Sequence, residues 1–133
     1  MRASLSKTPT TILFDKDQKF HSFGYEAEKH YFQLTVDDNH TDWYYFRRFK
    51  MILFDIEGKG GQASKVMLKD IRDREVPAVK VFSEAIRYLK GHTLNELEKR
   101  CTGVTDADIE WVLTVPATSN ESVKQFMRLA AKT

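Results

Sequence analysis

The chain has 133 residues, 41% of them hydrophobic and 30% charged, which suits one globular domain with a buried core. Its 21 basic and 19 acidic residues leave a net charge of +2, too near balance to attract nucleic acid or an anionic membrane by bulk charge. The single cysteine, Cys101, excludes an internal disulfide framework and points to a reducing compartment, the cytoplasm.

The first residues, MRASLSKTPTT, lack the apolar stretch of a secretory signal; they stay basic up to Asp15, only a weak resemblance to a transit peptide, and none is expected. Residues 10–14 (TTILF) read as a short strand, 15–18 as a turn, and 19–23 as a second strand pairing back in a hairpin. Gly24 opens the next element, where Phe23, Ala27, Tyr31 and Leu34 fall at helical spacing. Residues 37–42 form a polar loop. Residues 43–54 are dense in aromatics, with Arg47, Arg48 and Lys50 interleaved, and fit neither a helical nor a strand period alone. Residues 57–62 (EGKGGQ) form a loop by composition.

Residues 66–71 alternate apolar and polar, as a strand does, and 72–75 form a charged turn. Pro77 suits the first turn of a helix. Val79, Phe82, Ile86 and Leu89 then make a core-facing stripe, which Leu94 and Leu97 extend to Lys99. Gly91 is a soft spot in that helix, worth roughly 1 kcal/mol against alanine. No apolar run approaches the roughly 18 residues of a membrane span.

The last quarter reads as strand, turn and helix. Ile109, Trp111, Val112, Leu113 and Val115 make a strand, and Pro116, which cannot donate to a ladder, ends it. Thr118 and Glu121 have capping-box spacing. Val123, Phe126, Met127 and Ala130 recur on one helical face. The sequence stops within that helix without an ending signal, so a piece of something larger is expected. The order of elements argues α/β, a mixed sheet with packed helices.

Each candidate constellation competes with a plainer reading. The EGKGGQ run lacks the spacing of a phosphate-cradling loop and reads as exposed. His30, Asp37, Asp38 and His40 are ligand types, but too loosely spaced for a typical zinc site, so no metal is expected. The stretch DWYYFRRFK could stack bases on Trp43, Tyr44, Tyr45 and Phe46 with Arg47 and Arg48 on phosphates. An amphipathic core element with its basic groups in water suits the charge balance better, so no nucleic acid and no membrane partner are expected. Cys101 and His92 have no spacing that makes a nucleophile, and the thiol reads as structural.

Three segments together resemble one family. They are KTPTTILFDKDQKFHSFGYEAEKHY, VFSEAIRYLKGHTLNELEKR and DIEWVLTVPATSNESVKQFMRLAAKT, in an order that holds from Lys7 to Thr133. They resemble the nucleotide-binding domain of the heat shock 70 kDa protein family, nearest its divergent 12A-like branch. The most specific elements are VLTVPA at 112–117 and the helix that follows it.

The resemblance implies an actin-like ATPase fold, ribonuclease H-like, of which residues 1–133 form a partial lobe I with no substrate-binding domain. It implies ATP and magnesium as cofactors, and unfolded polypeptide clients or co-chaperones as partners of a full-length protein. Arg48 stands at the position of a catalytic lysine near the γ-phosphate, with Arg47 one residue away in register. Arginine keeps the charge but not the compact geometry of lysine. Pro116 matches a proline that switches between nucleotide states, and Lys124 stands where an arginine is expected. Thr118 and Ser119 replace two bulky residues. The family's phosphate loops have no counterpart in this sequence, and backbone cradling of phosphate depends on them. The expectation is therefore a chaperone-derived fragment unable to bind or hydrolyse ATP alone. The alternative is a non-catalytic interaction module that uses an exposed sheet edge.

Overall fold

A computed structural model describes residues 8–53, 65–100, 103, 110 and 121–132. Apart from Glu110, the expected strand at 109–115 lies outside the described residues, as do the EGKGGQ loop, Cys101, Pro116, Thr118 and Ser119. The architecture is mixed α/β. The chain divides into two compact units, Met1–Leu53 with Met67–Val76, and Phe54–Val66 with Pro77–Thr133.

The first unit is built on a three-stranded sheet of order β2-β1-β3. Strand β1 (Thr11–Phe14) pairs antiparallel with β2 (Phe20–Phe23) and with β3 (Tyr44–Arg47). The central place goes to the segment with no outward polar position, since all four residues of β1 are buried. Its alternation divides them between two faces. Leu13 packs with Ala27 and Tyr45. Ile12 and Phe14 share the other face with Phe46, whose ring meets that of Phe14 edge-on at 5.9 Å.

Helix α1 (Tyr25–Val36) lies against this sheet, with Ala27 buried and Tyr31 and Leu34 packed on the same cluster. Tyr31 stacks on Tyr45 at 4.3 Å. Entry to the helix depends on Gly24, whose φ of 67° and ψ of −137° are open essentially to glycine. The Gly24 amide donates to the Thr11 carbonyl, the Thr11 hydroxyl donates to the Gly24 carbonyl, and an added Cβ would run into the Thr8 hydroxyl.

Two hairpins use one turn. Asp15 Oδ1 accepts from the amides of Asp17 and Lys19. Asp70 Oδ1 accepts from those of Arg72 and Arg74. The fourth residue of each turn is left-handed, Gln18 at φ 62° and Asp73 at φ 64°. Aspartate supports such turns because its carboxylate mimics a backbone acceptor. The second hairpin joins β4 (Met67–Lys69) and β5 (Glu75–Pro77).

Pro77 therefore closes a strand rather than opening the helix. The Ala78 amide, one residue on, donates to the Val66 carbonyl and continues the ladder that proline cannot serve. The expected mixed sheet includes the strand at 109–115, which apart from Glu110 lies outside the described residues. Both sheets among the described residues are small and antiparallel, because each pairs strands adjacent in sequence or nearly so.

In the second unit, α2 (Ala78–Arg100) packs with α3 (Glu121–Lys132). Phe82 and Phe126 meet edge-on at 5.0 Å. In α3 the expected face is observed, with Val123, Phe126 and Ala130 buried. In α2 the buried face is Ala78, Val81, Phe82 and Ala85, with Ser83 beside it, while Leu89 is 44% exposed. At 100° per residue this face is rotated by roughly 70° from the Val79, Phe82, Ile86, Leu89 stripe. Two apolar stripes compete on α2, and packing selects the one with small residues, which admit close approach.

Candidate functional site

The basic residues that end β3 are positioned by a reversal of the backbone. In a strand Arg47 and Arg48 would point to opposite faces. Arg48 instead adopts a left-handed conformation, φ 51° and ψ 32°, and caps the 3-10 turn Phe49–Met51. Its amide donates to the Thr10 carbonyl at 2.9 Å, which anchors the turn to β1. A non-glycine residue held there is strained by about 1–2 kcal/mol. The result is that both arginines line the same cavity.

That cavity, of about 320 Å³, is lined by Arg47, Arg48, Lys69, Asp70 and Ile71. A neighbouring one of about 500 Å³ shares Arg47 and Arg48, and adds Lys50, Glu28, Met51 and residues of the 9–11 segment. Arg47, Arg48, Lys50 and Lys69 make no ion pair among the described residues.

Asp70 is different. Its side chain is fully buried, and Oδ2 accepts from Arg74 Nε at 3.1 Å and Nη2 at 2.9 Å. Arg74 also lies 4.1 Å over the Tyr44 ring and donates to the Trp43 carbonyl. With the Ile71 amide donating to the Tyr45 carbonyl, these contacts fix the β4–β5 turn against the outer edge of β3. Sequence reasoning missed this pair and missed Lys69. The repeated Asp-x-x-x-basic pattern at 15–19 and 70–74 is the signal that could have found the turn.

The other expected residues are dispersed. Arg48 lines a cavity, Lys124 is exposed on α3, and Pro116 lies outside the described residues. Among the described residues no three histidine, cysteine or acidic side chains converge as metal ligands. His30 stacks on His21 at 4.1 Å, and Trp43 meets both at 5.2 Å. His40 lies edge-on to Tyr31 at 5.9 Å. The aromatic stretch serves the interior: Tyr45, Phe46 and Phe49 are buried, Trp43 packs on the histidines and Tyr44 lies under Arg74. His92 stacks on Tyr88 along α2, and Cys101 is not described.

Asp15, His21, Tyr45 and Glu96 titrate away from their ordinary values, and His21 belongs to the aromatic cluster. Burial lowers the pKa of His21 below 6.5, the neighbouring His30 lowers it further, and Asp15 opposes both. Its Nδ1 lies 2.9 Å from the Ser22 hydroxyl.

No family model matches the chain, and no solved structure matches it. Curated relatives do. Heat shock 70 kDa protein 12B of Homo sapiens is 39% identical over 126 residues, which is 94% of this chain. Heat shock 70 kDa protein 12A is 39% identical over 129 residues in Homo sapiens and 38% over 129 in Mus musculus, 96% of this chain in each case. The chain spans 18% of the length of these relatives. Over nearly its whole length, then, it is similar to one stretch of the heat shock 70 kDa proteins 12A and 12B.

Proposed function

We propose that the chain is part of lobe I of a heat shock 70 kDa-type nucleotide-binding domain, actin-like and ribonuclease H-like in fold, and that alone it neither binds nor hydrolyses ATP. The observation that carries this reading is the similarity itself, 38–39% identity confined to 18% of the relatives' length. Phosphoryl transfer depends almost wholly on positioning and electrostatic stabilisation by several elements at once. Arg48 stands in the place of a catalytic lysine, but a strained residue on an open rim supplies charge without such preorganisation. ATP and magnesium, and polypeptide clients or co-chaperones, belong in this reading to a full-length cytoplasmic protein. Pro116 and Lys124 would be its switch residues.

ATP turnover and nucleotide affinity of the purified chain test the proposal. Neither is expected above background; specific binding at about millimolar or tighter, about −4.1 kcal/mol, together with hydrolysis would overturn the inactivity. The alternative, pairing along an exposed sheet edge, has little room at β3. There the carbonyls of Trp43 and Tyr45 already accept from Arg74 and Ile71.

A further inference from the structure

We propose that the outer face of α1 is a docking surface for an amphipathic helix with basic flanks. Tyr25, Phe32 and Val36 are 66%, 67% and 63% exposed, more than any other large hydrophobic residue among those described. All three lie on one helix of 12 residues. At 100° per residue they fall within about 40° of one another. With Lys29, which is also exposed, they are spaced four, three and four apart, the seam of a helix that packs along a second helix. The opposite side of α1 is already used, since Ala27, Tyr31 and Leu34 pack on the sheet. The helix is thus apolar on two faces, and the sheet covers one. Large apolar side chains gathered on one stripe mark an interaction site, where scattered ones do not.

The charges beside the seam select what covers it. Glu26 stands in the first turn, Asp37 caps the helix, Asp38 follows, and the last turn holds no basic residue. Negative charge there adds to the negative end of the backbone dipole. Asp37 accepts from the neutral Gln33 amide at 3.3 Å. Glu26, Asp37 and Asp38 make no ion pair among the described residues. Basic side chains on a partner would answer these carboxylates, and an acidic one opposite Lys29 would fix the register. A partner running antiparallel to α1 also brings its positive end to Asp37 and Asp38.

Other occupants fit worse. Two copies of α1 packed antiparallel would set Glu26 of one against Asp37 of the other, and Lys29 against Phe32. An anionic membrane would meet the same acidic groups. At about 1.5 Å per residue α1 is roughly 18 Å long, which suits a small, transient contact. The inference does not rest on the nucleotide reading, because it uses neither Arg48 nor any phosphate-binding loop.

Fluorescence anisotropy of a labelled peptide, titrated with the full chain at low ionic strength, tests the surface. The probe is a helix-forming peptide of about 18 residues with leucine along a heptad seam and lysine on both flanks. A second peptide keeps the leucines and carries glutamate for lysine. Saturable binding of the lysine peptide is expected, with the glutamate peptide about tenfold weaker or more. Phe32→Gln is expected to weaken the lysine peptide about tenfold, as loss of a central apolar contact does, and to leave the urea midpoint unchanged. Asp37→Asn with Asp38→Asn is expected to remove most of the salt dependence of binding. Leu89→Gln, at an exposed position on α2, is expected to leave affinity unchanged. The proposal is overturned by an absence of saturable binding, by equal binding of the two peptides, or by equal losses in the Phe32 and Leu89 variants. Phe32-dependent dimerisation, or Phe32-dependent binding to vesicles of phosphatidylcholine and phosphatidylserine, overturns it too. So does loss of probe binding in a chain extended with flanking sequence of human heat shock 70 kDa protein 12A, where the face would be covered from within.

Discussion

Asp70 is the one buried charge among the described residues, and Arg74 answers it with an ion pair. Removing one partner of such a pair leaves an uncompensated buried charge. Arg74→Leu is therefore expected to destabilise the first unit by about 3–5 kcal/mol in urea unfolding, and Asp70→Asn by less. His21 gives a pH dependence of known sign. Its folded pKa lies below the ordinary 6.5 through burial and then His30, so the unfolded chain takes up the proton first. Stability is full above about pH 6.5 and falls as the pH drops from there towards the folded pKa. His21→Gln is expected to flatten that fall, measured as the pH dependence of the urea midpoint. Arg48 was singled out from sequence, yet its left-handed conformation and its sharing of a cavity with Arg47 and Lys69 were not. They depend on hydrogen bonding to Thr10, a residue 38 positions earlier.

At the scale of elements, legibility follows how sharply polar and apolar residues separate. Helix α3 has one apolar face, and its buried residues are those its period marks. Helix α2 carries two, and which of them packs against α3 cannot be read from α2 alone. Gly91 falls inside α2, which runs unbroken through it, and nothing lies within 4 Å of a Cβ added there. Gly91→Ala is expected to raise stability by roughly 1 kcal/mol, read as a higher thermal midpoint. The first hairpin was legible because its turn residues and strand pattern agree locally. The short β5 was not, because Glu75, Val76 and Pro77 have poor strand signals and pair only once Ala78 and Val66 are brought together.

At the scale of the whole molecule, no helix among the described residues is long and apolar enough to cross a membrane. The similarity to heat shock 70 kDa proteins 12A and 12B reaches 96% of this chain but 18% of those proteins. In the proposed reading, activity belongs to the larger assembly. A chain extended on both sides with the flanking sequence of human heat shock 70 kDa protein 12A is expected to bind ATP where the 133-residue chain does not. Equal nucleotide affinity in the two would contradict that reading. What the sequence by itself determined is the α/β class, the hairpin and helix at the start, the terminal helix and the resemblance. All of these rest on local period, turn chemistry or residue identity. What only the tertiary structure decided is which face of α2 is buried, the Asp70–Arg74 anchor, and the meeting of Arg47, Arg48 and Lys69. Those depend on contacts between segments distant in the chain, whose energies no local pattern encodes.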